Sequence, residues 1–198
     1  SATGALALLH PACSEDEPQT AAIPPLRYFL HGVASGDPTS SAVILWTRVS
    51  PDEEQVIEAS WLVARDLGLS DIVASGAIST SQDKDYCCKV DVSGLAANTT
   101  YYFAFDALGE RSRIGRTKTM PSGDVSRLRL GVVSCSSFPH GYFNVYRHLS
   151  KRSELDLIVH LGDYIYEYAD GSYGELRSSE PKNEIVSLED YRKRYAQY

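Results

Sequence analysis

The chain has 198 residues, 43% hydrophobic and 23% charged, with 19 Lys and Arg against 26 Asp and Glu and a formal net charge of -7. Such a length holds one large domain or two small ones and excludes a large two-domain enzyme within these residues. The acidic balance argues against a nucleic-acid surface built on overall basicity, because neutralising phosphates needs clustered Lys and Arg, and there is no apolar run of about 20 residues to cross a membrane as a helix.

Residues 1–26 read as a leader. Ser1 to Ala12 is a small-residue, mildly apolar stretch that fits either the tail of a secretory signal without its basic start or a disordered N-terminal segment. Cys13, followed by Ser14, Glu15 and Asp16, has the setting of a lipidated residue and so of a membrane lipid anchor; His10 and Pro11 fit that pattern badly.

From Arg27 to Pro121 short strands alternate with turn signals. Phe29 to Ala34 leads into the turn Ser35-Gly36-Asp37-Pro38. Strands are then expected at Ala42 to Val49, Val56 to Ala64, Ile72 to Ser79, Tyr86 to Val92, Thr100 to Ala107 and Ile114 to Thr119. That spacing, with no convincing helix, predicts an immunoglobulin-like or fibronectin-III-like β-sandwich over 27–121. Trp46 and Trp61 read as core residues. Tyr101, after Leu95-Ala96-Ala97-Asn98-Thr99-Thr100, resembles the corner tyrosine of such sandwiches, whose hydroxyl bonds back to the backbone. Four cysteines are too few for a disulfide scaffold; Cys87 and Cys88, adjacent in a strand, face opposite ways and cannot readily pair.

Beyond the turn-rich Pro121-Ser122-Gly123-Asp124 the pattern changes, and 127–198 reads as the start of an α/β domain. Leu128 to Ser134 and Leu155 to Leu161 are apolar runs. Between them Gly141 to Arg152 places Tyr142, Val145, Tyr146 and Leu149 on one helix face, which makes a βαβ unit with parallel strands. Tyr164 to Val186 is a long irregular stretch, of the kind that is usually functional or disordered. A last helix starts at Ser187, which with Asp190 forms a capping-box pair. Leu188, Tyr191, Tyr195 and Tyr198 share one face of it, with Arg192 and Lys193 on a solvated face.

Ligands of an open α/β sheet bind beyond the carboxyl ends of its strands. The two apolar runs end in Ser134-Cys135-Ser136-Ser137 and Gly162-Asp163-Tyr164-Ile165-Tyr166-Glu167, so parallel pairing brings Cys135 and Asp163 side by side, with Tyr166 three residues on. Taken singly, Cys135 reads as a small buried hydrophobe, Asp163 as a turn or cap and Tyr166 as loop packing. Together they form a candidate metal pocket, with Gly162 allowing the tight turn that aims Asp163 at the crevice. His160 reads as core or as support behind the ligands, His140 as a solvated loop residue and His148 as surface.

The stretch Phe29-Leu30-His31-Gly32-Val33-Ala34-Ser35-Gly36-Asp37-Pro38, continuing through Ile44-Leu45-Trp46-Thr47-Arg48, resembles the entry to the N-terminal domain of PhoD-type alkaline phosphatases. His160-Leu161-Gly162-Asp163-Tyr164-Ile165-Tyr166-Glu167-Tyr168 is similar to that family's metallophosphoesterase motif. The resemblance covers Arg27 to Tyr198. It implies an exported phosphatase and phosphodiesterase, passed by the twin-arginine route, with Fe(III) and calcium as cofactors and phosphate esters as substrates. Cys135 then corresponds to a thiolate ligand of iron, Asp163 to the carboxylate bridging iron and calcium, and Tyr166 to a phenolate on iron. Metal-activated hydroxide or oxide would attack phosphorus. Purple acid phosphatases share the Gly-Asp-x-x-Tyr pattern, but their first strand ends in an Asp-containing motif where this chain has Ser134-Cys135-Ser136. No His follows Tyr166, whereas the superfamily completes its metal site with later His, Asn and Asp residues. The expectation is therefore a fragment, inactive by itself. The alternative from another class is a non-catalytic extracellular binding module whose α/β portion is structural.

Overall fold

The computed structural model describes residues 25–198. The readings attached to residues 1–24, Cys13 included, lie outside the described residues.

Period-two burial builds the first sheet. In β2 (Ala42–Arg48) Val43, Leu45 and Thr47 are buried while Ile44, Trp46 and Arg48 are half-exposed. Trp46 therefore sits on the outer face, not in the core as its sequence context suggested; Trp61 does pack against the core. β1 (Val33–Gly36), β2 and β5 (Cys87–Ser93) form one antiparallel sheet. The other antiparallel sheet runs β4 (Ile72–Thr80), β3 (Ile57–Ala64), β6 (Thr100–Ala107), with β7 (Glu110–Arg111) and β8 (Gly115–Lys118) both pairing with β6.

The two sheets face each other across one core, the arrangement of a β-sandwich. Val43, Leu45, Val49, Cys88, Val90 and Val92 meet Ile57, Ala59, Val63, Tyr101, Phe103 and Phe105. Each large side chain so buried contributes about 1.5–3 kcal/mol. Phe103 and Phe105 meet edge to face, 6.4 Å between centroids. Gly115 is required where it stands, since a Cβ there would lie 2.3 Å from the Phe103 ring. The corner forms as expected: the Ala96 N–H donates to the Tyr101 hydroxyl at 2.9 Å, and Thr119 Oγ1 donates to the Ala96 carbonyl at 2.6 Å.

After the sandwich, β9 (Leu130–Val133) and β10 (Leu157–His160) pair in parallel, Leu130 opposite Leu157 and Val133 opposite His160. The connection between them carries α1 (Asn144–Ser150), shorter than the periodicity predicted because Phe143, at its N-cap, has a left-handed φ of 56°. Tyr142 thus falls outside the helix. No residue of α1 is fully buried, and Val145 is 60% exposed, because two strands offer only a narrow surface for its apolar face. The sandwich is tied to this segment by an ion pair between Lys118 of β8 and Asp156, and by Arg116, which donates to the Ser153 carbonyl at 3.2 Å.

The last helix, α2 (Leu188–Gln197), has the expected capping box: the Asp190 N–H donates to Ser187 Oγ while the Ser187 N–H donates back to the Asp190 carboxylate. Its aromatic face packs on other rings, Tyr195 stacking on Tyr164 at 5.9 Å and Tyr198 lying 5.6 Å from Phe138. Arg192 does not sit on a purely solvated face; it is half-buried and donates to the Asp83 carbonyl of the sandwich at 3.0 Å.

Candidate metal centre

β9 and β10 end at one edge, and their pairing continues past the last strand residues. Leu161 N–H donates to the Val133 carbonyl (2.8 Å), Cys135 N–H to Gly162 (3.1 Å) and Ser136 N–H to Asp163 (2.8 Å), so the two loops are one hydrogen-bonded unit. This unit holds Cys135 at a φ of 60° and Asp163 at 53°, left-handed backbone that costs a residue with a Cβ about 1–3 kcal/mol. Gly162 takes a φ of 125°, which glycine adopts readily and other residues do not.

The strained backbone brings the three sequence-predicted residues together. Cys135 Sγ lies 3.4 Å from Asp163 Oδ2 and donates to it; the Tyr166 hydroxyl donates to the same oxygen at 3.2 Å. Cys135 and Asp163 are exposed, so Cys135 is not the buried hydrophobe of the plain reading, and Tyr166 is half-buried. Desolvation first, then the hydrogen bond with Cys135 and the nearby Asp163 charge, push the Tyr166 hydroxyl well above the ordinary phenol range.

Thiolate and phenolate are strong donors suited to a transition metal, and the carboxylate suits either that metal or a harder cation. Donors sharing one ion at about 2.0–2.3 Å stand roughly 3–3.7 Å apart, so the observed separations fit a metal held by Cys135, Asp163 and Tyr166. Among the described residues, no group of three or more His, Cys, Asp and Glu is placed to hold an ion; the set depends on the tyrosine.

Among the described residues, His160, His140 and His148 make no contact with the three donors' side chains that would join them to the set. His160 accepts from the Gly162 N–H through Nδ1 at 3.2 Å, and its Nε2 faces Ser136 Oγ at 2.9 Å and the Tyr146 hydroxyl at 3.1 Å. It is half-buried, not core, and braces both loops. His140 is exposed with Nδ1 2.6 Å from Ser137 Oγ, and His148 is exposed.

A cavity of about 490 Å³ opens beside the donors, lined by Cys135, His140, Tyr166, Tyr168, Tyr173 and Tyr198 among others. A second cavity, about 720 Å³, lies between the Ala34 to Pro38 turn, Arg116 to Lys118 and β10. It includes none of the three candidate donors, whereas the smaller one is lined by Cys135 and Tyr166.

Residues 164–186 are tied down on both sides. Asp170 accepts from Ser178 Oγ (2.6 Å), Ser179 N–H (2.7 Å) and Lys182 Nζ (3.2 Å), and these partners, Ser178 foremost, lower its carboxyl to about 2. Arg177 stacks 3.7 Å over the Phe138 ring and donates to the Phe138 carbonyl at 3.0 Å. Arg194 of α2 is 1% exposed and donates to four backbone carbonyls, Tyr166 among them. Sequence reasoning missed both arginines. For Arg194 a signal existed: it lies three residues after Tyr191 and four before Tyr198, on the aromatic face of the helix.

Comparison with known proteins matches residues 15–121 to the profile of the PhoD-like phosphatase N-terminal domain and residues 130–198 to that of PhoD-like phosphatase. The chain belongs to the PhoD-like phosphatase family. It is 39% identical over 183 residues to alkaline phosphatase D of Bacillus subtilis (strain 168), a match that covers 86% of this chain and 31% of that protein. A solved structure of PhoD superposes with a TM-score of 0.82 at 38% identity, covering 86% of this chain and 35% of the other. This PhoD-like chain thus spans about a third of the length of the relatives it matches, and Cys135, Asp163 and Tyr166 all lie in the part matched to the phosphatase profile.

Proposed function

We propose that this chain carries the β-sandwich domain (27–121), of the immunoglobulin or fibronectin-III kind, and the first portion (127–198) of an α/β metallophosphoesterase domain. The whole is an exported alkaline phosphatase acting on phosphate monoesters and diesters. The observation that carries the reading is the convergence of Cys135, Asp163 and Tyr166 on one oxygen at the ends of two parallel strands, in a chain of the PhoD-like family. Cys135 and Tyr166 would hold iron(III), and Asp163 would be shared between iron and calcium. When bound, such a centre supplies Lewis acidity that neutralises charge on the phosphoryl oxygens.

This chain's own residues have defined parts. Asp163 Oδ2 is the common acceptor that keeps the Cys135 and Tyr166 side chains converged. The backbone bonds between the two loops fix the separation of Cys135 and Asp163, and His160 fixes the turn at Gly162. We expect three side-chain donors to be too few to complete a site for two ions, so that turnover requires the full-length protein. Among the described residues no helix is long and apolar enough to cross a membrane.

The test is hydrolysis of a phosphate monoester and a diester by the full-length protein. Activity should fall on chelation and in Cys135→Ser and Asp163→Asn. Undiminished activity in both variants would remove the site. A wild-type protein that hydrolyses neither ester and holds no metal would favour the non-catalytic extracellular binding module.

A further inference from the structure

Arg194 is the most deeply buried charged side chain among the described residues, at 1% exposure, and it forms no ion pair among them. A guanidinium taken out of water costs several kcal/mol unless each of its donors finds an acceptor. Here each does. Nε donates to the Glu180 carbonyl at 2.8 Å. Nη1 donates to the carbonyls of Tyr166 and Tyr168, the latter at 3.3 Å, and Nη2 to Tyr168 at 3.3 Å and Pro181 at 3.0 Å. Five N–H groups meet four carbonyls from two stretches of chain that have no regular secondary structure.

The direction of the hydrogen bonds matters. Stretch 166–168 contains a candidate metal donor, Tyr166, while stretch 180–181 closes the same long loop from its far end. Arg194 itself projects from α2, whose start is fixed by the Ser187 and Asp190 capping box. The guanidinium thus transfers the rigidity of a capped helix to the backbone of Tyr166. Other tethers near that residue are fewer: the Ile185 N–H on the Glu167 carbonyl (3.0 Å), Tyr191 on the Glu167 carboxylate (3.3 Å), and the Tyr166 ring stacked on Tyr168 at 6.2 Å. A lysine carries its three N–H donors on one nitrogen and lacks the planar fork, so it reaches fewer of these carbonyls at once.

We infer that Arg194 is the positioning residue of the metal centre: it holds the Tyr166 backbone so that the phenol oxygen converges on Asp163, without touching metal or substrate. The inference rests on the reading of Tyr166 as a metal donor. It also assigns a purpose to a buried, carboxylate-free cation that packing alone would not select, since an apolar residue would fill the same space at less desolvation cost.

Phenolate bound to iron(III) absorbs visible light, which gives a signature that a purely structural residue does not control. The test uses the iron-loaded full-length protein as wild type, Tyr166→Phe, Arg194→Met, and the double variant. Tyr166→Phe should remove the phenolate band and leave the thiolate contribution of Cys135. Arg194→Met should weaken or shift the phenolate band and lower iron affinity about 10–100-fold, as loss of an outer support typically does. Arg194→Met should add little in the Tyr166→Phe background, because both changes then remove the same interaction. Arg194→Lys, which keeps the charge and part of the hydrogen bonding, should fall between wild type and Arg194→Met, and it carries the test if Arg194→Met does not fold. In the metal-free protein, amide exchange over 166–181 should rise in either Arg194 variant. If Tyr166→Phe removes the phenolate band and neither Arg194 variant alters that band, Arg194 is only structural and the inference falls while the metal reading stands. If Tyr166→Phe leaves that band intact, both fall.

Discussion

Tyr101→Phe removes one oxygen and almost nothing else. The ring is 1% exposed in the sandwich core and stays there; what disappears is the acceptor for the Ala96 N–H at 2.9 Å. A donor orphaned in a dry interior costs about 1–3 kcal/mol. Ala96 is itself exposed, so water can reach part of that N–H, and the Thr119 hydroxyl still holds the neighbouring carbonyl. The expected loss is therefore in the lower half of the range, about 1–2 kcal/mol. At roughly 2–4 °C per kcal/mol for a chain of this length, the melting temperature drops by about 2–8 °C. Tyr101→Ala deletes the buried ring as well and should cost about 3–5 kcal/mol. Urea unfolding of the three proteins separates the two contributions. A Tyr101→Phe loss below about 0.3 kcal/mol would refute the corner as a stabilising hydrogen bond, and so would a loss equal to that of Tyr101→Ala.

Two further outcomes follow from burial and charge. Cys88 is fully buried, and burial, then the neighbouring Cys87, pushes its thiol up to about 11, whereas Cys135 is exposed. Alkylation of the metal-free native protein at pH 8, mapped by mass spectrometry, should modify Cys135 well before Cys88; equal rates would contradict the placement. Asp170 has its carboxyl lowered from 3.8 to about 2 by its partners in the loop. A lowered carboxyl contributes stability fully above its ordinary value and loses it as pH falls through the folded value, so the loop around Asp170 should loosen between about pH 4 and pH 2. NMR of that segment should show the step in wild type and none in Asp170→Asn; a step retained in the variant would assign it elsewhere.

Much of this architecture could be read before any coordinates because it depends on local rules. The strands β2 and β5, the corner at Tyr101 and the cap at Ser187 each involve residues close together in the chain. The meeting of Cys135 and Asp163 followed from a single topological step, since parallel strands must end at the same edge. What escaped was set by distant contacts. Trp46 looks like core until the facing sheet covers the other side of β2, and Arg192 looks solvated until the sandwich reaches it through Asp83. The α1 ends depend on Phe143 turning left-handed, which no periodicity encodes. Arg177 and Arg194 take their roles from the carbonyls and rings that an irregular loop presents, and a loop without regular structure leaves no repeating pattern to read. Arg194 is the instructive case: its position on an aromatic helix face was visible, but a charged residue there reads as exposed until its acceptors are known.

The central claim is that Cys135, Asp163 and Tyr166 hold a metal, and X-ray absorption at the iron edge of the loaded full-length protein tests it most directly. The spectrum should contain one sulfur scatterer among lighter oxygen neighbours in the wild type. Cys135→Ser should lose that sulfur while keeping the oxygen shell. A wild-type spectrum without sulfur, or a sulfur contribution unchanged in Cys135→Ser, would contradict the site.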